Sequence, residues 1–492
     1  FFATSFSPAS CLMEKPATLP LPDADWQQTP IAAQALIVTL WNEMQQLRTE
    51  VAWLREQVQQ TSHNSSRPPS SDPPSTPSRK RRGSGRSAGG QPGHKGRGRR
   101  LLPVEQVDHV FPIKPCACSF CGGVLEGEDP HPERHQVTEL PPVRAQVSEY
   151  QLHTLRCPHC QSLTEADWPE GVPHSAFGPR VQALVSLLSG AYRLSKRQIQ
   201  ALLSDGFGIE MAVGTVSQLE QPTSQALADP VDAALTYVRE QKAKNVDETG
   251  WRQQRRRAWL WTAVTPFVSV FTIHFSRGSK VVRQLLGDTP HGIVGSDRYS
   301  AYSFLPVSQR QVCWAHLRRD FQKLIDRGGE SAQIGAILSA LTDQMFAWWH
   351  RVRDGTLQRR SFQTYMVDHK AKMHLYLWMG SQCGHAQTAR TCQEILSVEP
   401  ALWTFVGKEG VEPTNNAAER ALRHGVLWRK SSFGTHSEAG SRFVERVMSV
   451  VTTLRQQERD VLTYLTLACQ AACRGQPAPS LLPIPTHGLS SE

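Results

Sequence analysis

A proline- and serine-rich stretch, followed by a basic stretch, divides this chain into an N-terminal and a C-terminal part. The two parts must fold independently of each other. The stretch N-S-S-R-P-P-S-S-D-P-P-S-T-P-S has almost no apolar side chains, and a segment of this composition cannot bury a core. We therefore predict a disordered linker over residues 62–103. Because 492 residues exceed the size of one ordinary core, the rest of the chain is predicted to form several domains.

The second half of this linker carries most of the net positive charge. Arg79 to Arg100 contains nine Lys or Arg and no Asp or Glu, in a chain of net charge +10. So one-sided a run favours a polyanionic partner, and nucleic acid is the leading candidate. An unstructured basic tail predicts the same salt-sensitive DNA affinity. The cations predicted to contact DNA are Arg79, Lys80, Arg81, Arg82, Lys95, Arg97, Arg99 and Arg100.

Ahead of the linker, apolar residues recur with heptad spacing. Residues 31–61 are predicted to form a leucine-zipper helix that makes a homodimer or higher oligomer, since β-branched residues at one position and Leu at the other suit a parallel coiled coil. A single amphipathic helix docked on its own domain is the alternative. Residues 1–30 are interpreted as a partly disordered leader. The two heptad positions hold Ile37, Met44, Val51 and Val58, and Leu40, Leu47 and Leu54.

Two Cys-x-x-Cys pairs follow the linker and predict a zinc ribbon over residues 104–168. Cys118 and Cys121 form the first pair, and Cys157 and Cys160 the second. Four thiolates complete the tetrahedral shell of one structural Zn²⁺. The pairs lie further apart than in the usual ribbon, and replacement of one thiolate by Cys116 or a nearby His stays open.

Residues 174–240 are predicted to be helical and to contain a helix-turn-helix. A helix starting near Ser195 is followed by a break at Gly206 and Gly208, and then by a short second helix. A plain structural helical pair fits the same pattern. In the DNA-binding interpretation, the second helix presents to phosphates and base edges Thr215, Ser217 and Gln218.

Carboxylates recur at the ends of apolar stretches in the second half of the chain. Three strands forming an antiparallel meander are predicted around V-D-E-T-G-W, A-W-L-W-T-A-V-T and F-V-S-V-F-T-I, and a fourth in H-G-I-V-G-S-D. Asp247 and Asp297 are each predicted to end a strand. Glu419 lies in a predicted helix capped by Thr414 or Asn415.

If these strands are neighbours, the carboxylates converge and need cations to stay ionised together. Asp247, Asp297 and Glu419 then hold two Mg²⁺ or Mn²⁺ ions for phosphoryl transfer. Arg423 and Lys430, on the same helix as Glu419, would face a DNA backbone. Spacing alone also permits three ordinary surface carboxylates.

The ordered series of motifs resembles the transposases of the insertion-sequence-sixty-six family over nearly the whole chain. The resemblance implies multidomain α/β organisation, with a ribonuclease-H-like mixed sheet, a helical insertion and the DDE catalytic triad Asp247, Asp297 and Glu419. The motifs that carry it are N-S-S-R-P-P-S-S-D, G-G-Q-P-G-H-K-G, the paired cysteines, V-D-E-T-G-W, S-D-R-Y-S-A-Y, C-W-A-H-L-R-R-D-F and T-N-N-A-A-E-R-A-L-R.

The resemblance also divides the C-terminal part of the chain. Residues 241–321 and 412–475 correspond to the catalytic domain, residues 322–411 to the helical insertion, and residues 476–492 to a disordered tail. His316, in C-W-A-H, is placed at the scissile phosphate or a flanking strand, although it and Cys313 equally fit a packing role. Arg298 stands where much of the family has a smaller residue, and it would either pair with phosphate or weaken metal binding by repulsion.

The resulting hypothesis is a bacterial DNA transposase that cuts at element ends and joins them to target DNA, with companion proteins of the same element as further partners. A non-catalytic, sequence-specific DNA-binding protein derived from a transposase is the alternative, and a nuclease that cuts without joining is a second. No run of eighteen apolar residues occurs, so a cytoplasmic, nucleoid-associated protein without membrane contact is expected.

Overall fold

The computed structural model describes residues 14–65, 72 and 101–483. Within these residues the chain forms two compact units. The smaller unit comprises residues 101–167 and 196–215, and the remaining described residues belong to the larger. The eight cations predicted to contact DNA from the linker lie outside the described residues.

Seven strands and fifteen α-helices occur in the described part of the chain. The strands are β1 (Thr154–Arg156), β2 (Leu163–Glu165), β3 (Ala243–Gln253), β4 (Arg256–Val264), β5 (Ser269–His274), β6 (Ile293–Ser296) and β7 (Arg310–Val312). The helices are α1 (Asp23–Gln28), α2 (Ile31–Val58), α3 (Pro179–Gly190), α4 (Lys196–Phe207), α5 (Val213–Ala226), α6 (Ala228–Glu240), α7 (Ser279–Leu286), α8 (Trp314–Asp326), α9 (Gly329–Arg353), α10 (Arg359–Gln382), α11 (Ala386–Leu396), α12 (Thr404–Gly407), α13 (Asn416–Ser432), α14 (Glu438–Gln456) and α15 (Val461–Cys473).

The larger unit is built on a five-stranded mixed sheet with the strand order β5-β4-β3-β6-β7. β3, β4 and β5 form the antiparallel meander, while β6 and β7 join β3 in parallel. Gly292 precedes β6 with φ +72°, and a Cβ there would overlap the backbone carbonyl of Lys242 just before β3. A glycine is therefore required where β6 begins beside β3.

Helices α13 and α14 pack against the meander, α13 on β3 and β4 and α14 on β5. Their approach depends on small residues, since Gly425 of α13 lies directly against the buried Leu260 of β4. The shared core includes Trp251, Trp261 and Phe443. A mixed α/β unit is thus confirmed, and the helix that carries Glu419 packs on its sheet.

Helices α8 to α12 form a separate hydrophobic cluster in the same unit. α9 packs between α8 and α10, and α10 also packs on α11. Large aromatic side chains fill this cluster, because amphipathic helices without a sheet must bury their apolar faces against each other. Four of them are Trp314, Trp349, Phe362 and Phe405.

Helix α2 leaves its heptad residues largely exposed. Leu40, Leu47 and Leu54 are 55%, 60% and 46% exposed. The C-terminal end of α2 is anchored, since Glu56 pairs with Arg327 at 2.9 Å, just beyond α8. The apolar stripe therefore lies on a helix whose end is fixed to the helical cluster. In the described part of the chain, no helix is long and apolar enough to cross a membrane.

The smaller unit consists of short turns, the ribbon β1–β2 and α4. β1 and β2 pair antiparallel from Thr154–Glu165 to Arg156–Leu163. Helix α4 ends at Gly208, whose φ of +66° is the left-handed conformation that commonly terminates helices. The short ribbon and the exposed side chains around it show how little core this unit has of its own.

Candidate active site

The parallel pairing of β3 with β6 sets the two predicted catalytic aspartates side by side. Ala243 pairs with Ile293 and Asn245 with Gly295, and the same offset aligns Asp247 with Asp297 immediately after β6. Neighbouring strands lie about 4.8 Å apart, so the two carboxylates occupy adjacent positions. The prediction that Asp247 ends its strand is wrong, because β3 continues to Gln253 and pairs Asp247 with Thr262 of β4.

The start of α13, the helix that carries Glu419, is held against β3 next to Asp247. The buried side chain of Asn415 donates from Nδ2 to the carbonyl of Val246 at 2.9 Å, next to Asp247. Asn415 is the N-cap residue, but its side chain makes no capping hydrogen bond, contrary to the prediction. The amide is used instead to hold the first turn of α13, with Glu419, against the sheet.

The carboxylates act on one another electrostatically, although the structure does not bring one oxygen from each of Asp247, Asp297 and Glu419 within 4.8 Å of the other two. Burial raises the pKa of Asp247 well above its ordinary value of 3.8, and the negative charges of Glu248, Asp297 and Glu419 raise it further. A buried carboxylate among other carboxylates is stable as an anion only beside a cation. The donor set of hard oxygens from two strands and one helix fits a divalent ion such as Mg²⁺ or Mn²⁺.

Glu248 is a buried carboxylate that sequence reasoning missed. It follows Asp247 and points to the opposite face of the sheet, where its side chain is only 1% exposed. Tyr302 donates its hydroxyl to Oε2 at 2.6 Å, and Arg277 donates to Oε1 at 2.9 Å. Burial raises the pKa of Glu248, while Tyr302 and Arg277 oppose that rise. The sequence did contain a signal for it: successive residues of a strand point to opposite faces, so a strand through Asp247 places Glu248 on the other face of the sheet.

His316 and Cys313 lie against Glu419. Nδ1 of His316 is 3.7 Å from Oε1 of Glu419, and both atoms are inaccessible to solvent with no hydrogen-bond partner among the described residues. The Sγ of Cys313 accepts a hydrogen bond from the backbone N–H of Asn415 at 3.1 Å. Burial raises the pKa of Cys313 to about 12. One ligand atom from each residue lies within 4.8 Å of the other two.

Arg298 pairs with carboxylates of the helical cluster. Its guanidinium donates to Oδ2 of Asp320 at 2.6 Å and lies 3.5 Å from Glu394. Arg310 instead donates to the backbone carbonyl of Asp297 at 3.2 Å. The guanidinium of Arg298 therefore has two carboxylate partners in the helical cluster.

The two Cys-x-x-Cys pairs form matching turns in the smaller unit. The N–H of Cys118 donates to the Gly123 carbonyl, and the N–H of Cys157 donates to the Ser162 carbonyl, both at 2.8 Å. Hydrogen bonds around Ser162 lower the pKa of Cys160 to about 7. The structure does not bring three of the thiolates Cys118, Cys121, Cys157 and Cys160 within 4.8 Å of each other.

The remaining predicted DNA contacts are mostly exposed. Ser217 and Gln218 of α5 are exposed, and Thr215 is half-buried. Arg423 and Lys430 of α13 are exposed. A short turn joins α4 to α5. Gln200 of α4 donates to the carbonyl of Met211 in this turn at 2.9 Å.

A further basic surface lies on the β3–β4 hairpin, where sequence reasoning placed nothing. Its turn carries arginines that stand out in the sequence as R-Q-Q-R-R-R: Arg252, Arg255, Arg256 and Arg257. Arg257 stacks on Trp259 at 4.8 Å, and Arg277 stacks on both Trp259 and Tyr299, at 4.6 and 3.9 Å. The N–H of Tyr299 donates to Oδ1 of Asp297 at 2.9 Å, so this row of side chains leads from the hairpin to the aspartates.

A carboxylate cluster on a mixed sheet, with cationic side chains leading to it, is typical of an enzyme that processes nucleic acid. The chain belongs to the IS66 family of transposases: the family model described as "Transposase IS66 family" matches residues 174–442. The family confirms the resemblance seen in the motifs and makes DNA the partner. A second model, "Family of unknown function (DUF6444)", matches residues 20–100.

Two relatives from Sinorhizobium fredii are similar over most of the chain. "Uncharacterized protein y4qI" is 27% identical over 430 residues, which cover 80% of this chain and 78% of the relative. "Uncharacterized protein y4hP" is 23% identical over 390 residues, which cover 71% of this chain and 69% of the relative. Neither name states an activity.

Proposed function

We propose that this transposase cleaves DNA at the ends of its element and transfers the freed strands into target DNA, using Asp247, Asp297 and Glu419 to hold two Mg²⁺ or Mn²⁺ ions. The observation that carries the proposal is the β3–β6 register, which aligns Asp247 with Asp297. The strand order, with an antiparallel meander extended by two parallel strands, supports a ribonuclease-H-like catalytic domain interrupted by the helical cluster.

The first step is hydrolysis of a phosphodiester at the element end, in which water attacks phosphorus and the departing oxygen becomes a free 3′-hydroxyl. In the second step this hydroxyl attacks a phosphodiester of the target, joining the strands and releasing a new 3′-hydroxyl. When bound, the two ions activate the attacking oxygen and stabilise the leaving oxygen. The carboxylates would hold the ions in place, and His316, in the first turn of α8, would contact the scissile phosphate.

The rest of the chain is proposed to hold the DNA. Arg423, Lys430 and the hairpin arginines contact the backbone near the carboxylates, while the basic linker and the α4–α5 segment bind the element ends. The four paired cysteines bind one structural Zn²⁺, whose coordination would draw the two turns together. The exposed stripe of α2 joins two chains so that both ends are held in one complex.

Cleavage and strand transfer on DNA carrying the element's own ends test the proposal, with Mg²⁺ or Mn²⁺ and any companion proteins of the element supplied. We expect Asp247→Asn, Asp297→Asn and Glu419→Gln each to bring product to background while gel-shift affinity for the ends is kept. Asp288→Asn is the matched control, since its carboxylate is 86% exposed and outside the cluster. A native chain that binds but never cuts would favour a non-catalytic DNA-binding protein, and cutting without joining would favour a nuclease.

A further inference from the structure

Cys313, His316 and Glu419 bring three different ligand types to one point. Cys313 precedes α8, His316 lies in its first turn, and Glu419 lies in the first turn of α13. Their sulfur, nitrogen and oxygen atoms lie within 4.8 Å of one another. Ligands on a tetrahedral Zn²⁺ are about 3.3–3.7 Å apart, given bond lengths of about 2.0–2.3 Å. The cluster therefore needs to contract by only about 1 Å to close around such an ion.

Two of these atoms have no hydrogen-bond partner in the part of the chain that the structure describes. Nδ1 of His316 and Oε1 of Glu419 face each other at 3.7 Å, which is too far for a hydrogen bond, and neither is accessible to solvent. Unpaired buried polar atoms are costly, so a group between them is favoured. The distance is a few tenths of an ångström longer than the nitrogen–oxygen edge of a tetrahedral Zn²⁺ shell, about 3.3–3.5 Å.

The third atom decides which ion fits. The Sγ of Cys313 accepts the N–H of Asn415 at 3.1 Å, and because burial raises the pKa of this thiol, the thiolate forms only with a cation beside it. Thiolate with imidazole and carboxylate selects Zn²⁺ and similar thiophilic ions, whereas Mg²⁺ prefers oxygen ligands alone. On binding, the thiol proton leaves to solvent.

We propose that Cys313, His316 and Glu419 form a site for Zn²⁺ that competes with the catalytic ions. Glu419 belongs to both sites, so Zn²⁺ held by Cys313 and His316 withdraws this carboxylate from Asp247 and Asp297. Micromolar Zn²⁺ therefore inhibits cleavage even when Mg²⁺ is in excess. The inhibition rests on the proposed function, but the binding of Zn²⁺ at this cluster does not.

Binding is tested on the full chain by titration with Cd²⁺, whose bond to thiolate absorbs in the ultraviolet, and by equilibrium dialysis with Zn²⁺. The paired cysteines are present in every variant, so the difference between native chain and Cys313→Ser isolates this cluster. We expect Cys313→Ser to lose one thiolate's share of the absorbance and one Zn²⁺ per chain. Cys469→Ser, at a buried thiol hydrogen-bonded to Thr223, is the matched control and keeps both.

His316→Gln keeps the test decisive if Cys313→Ser fails to fold, and it should weaken this Zn²⁺ by at least about tenfold. Equal Zn²⁺ stoichiometry and affinity in native chain and His316→Gln would overturn the site. For inhibition, the ratio of cleavage with and without Zn²⁺ is compared for each variant, and we expect that ratio to rise in Cys313→Ser. If the native chain loses no cleavage on adding Zn²⁺ yet the binding differences hold, competition with the catalytic ions is wrong. If no cleavage occurs at all, the proposed function fails while the binding assays still decide the site.

Discussion

Nη2 of Arg298 lies 2.6 Å from Oδ2 of Asp320, which ties the residue after Asp297 to helix α8. Glu394 of α11 lies 3.5 Å from the same guanidinium. The side chains of Arg298 and Asp320 are 19% and 15% exposed, so solvent screens their attraction only weakly. The helical cluster thus fixes the segment that carries the second candidate catalytic aspartate.

Replacing Arg298 with Gln should impair both stability and chemistry. Loss of the charged donor leaves the partly buried Asp320 carboxylate with the weaker contact to Lys323 at 3.4 Å, which costs about 1–3 kcal/mol. We expect a lower midpoint of thermal unfolding and less metal-dependent cleavage, with gel-shift affinity for DNA unchanged. Arg318→Gln is the matched control, because its bridge to Asp343 joins side chains that are 41% and 63% exposed. Equal effects of the two variants would contradict a special role for Arg298.

Gly425→Ala should displace the helix that carries Glu419. A Cβ at this position would overlap Cδ2 of Leu260, which is fully buried and must shift against the core around it. Overpacking of this kind costs about 1–3 kcal/mol. The free energy of unfolding, measured with urea, should fall by this amount, and cleavage should fall with it.

Gly206→Ala is the comparison for this variant, since Gly206 lies within α4 and a Cβ there meets nothing within 4 Å. Alanine is the better helix former by about 0.5–1 kcal/mol, so the expected change is neutral or stabilising. A destabilisation of similar size in both variants would show that the contact of Gly425 with Leu260 does not set the position of α13.

The sequence predicted those strands and helices around the site that are determined by the local pattern of apolar residues. The apolar runs near Asp247 and Asp297 predicted strands, and the IS66 family was correctly inferred from the motifs. The strand end assigned to Asp247 was wrong, because polar residues after it stay in β3 by pairing with β4. Continuity of a ladder depends on the partner strand, which the local pattern does not contain.

Contacts between distant segments were the part that no sequence pattern specified. Asn415 was predicted to cap a helix, yet its side-chain amide donates to the Val246 carbonyl, which lies 169 residues away in the sequence. Arg298 was expected to act on metal or phosphate, and the structure adds two partners that the sequence did not indicate, Asp320 and Glu394. In both cases the competing partner is brought in by tertiary packing, so residue type alone left the choice open.

His369 should make the chain less stable in mild acid. Its ring is 3% exposed and packs against Trp348 and Trp403, and burial together with the charge of Lys372 lowers its pKa below the ordinary 6.5. Below the pKa that His369 has in the unfolded chain, the unfolded chain binds a proton that the folded chain does not. The stability that His369 contributes is therefore complete above this unfolded-state pKa and is lost as the pH falls below it.

The measurement is the thermal midpoint between about pH 7.5 and about pH 5.5. We expect His369→Gln, which cannot titrate, to show a smaller drop in midpoint over this interval than the native chain, although its midpoint at neutral pH is lower because packing is lost. His291→Gln is the control, since His291 is exposed and its replacement should keep the native drop. Identical drops in all three proteins would remove His369 as a source of acid sensitivity.

Leu47→Glu combined with Leu54→Glu should separate the proposed dimer. Both side chains are exposed on α2, at 60% and 46%, and burying one Leu contributes about 1.5–3 kcal/mol. Charges at these positions would face each other across the seam, so light scattering should report a monomer where the native chain gives a dimer. Asn42→Glu with Thr49→Glu, two exposed residues on the outer face of the same helix, should leave the dimer intact.

The same variants test whether dimerisation through α2 is what holds two element ends in one complex. Arg327, whose side chain is only 10% exposed, holds Glu56 at 2.9 Å and donates to Thr388 at 3.1 Å, so the end of α2 is fixed to the helical cluster. A dimer formed through α2 would link the helical clusters of two chains. The Leu47→Glu, Leu54→Glu variant should therefore bind a single element end but form no complex that holds two ends. Paired-end complexes that persist in the Leu47→Glu, Leu54→Glu variant would show that another surface brings the two ends together.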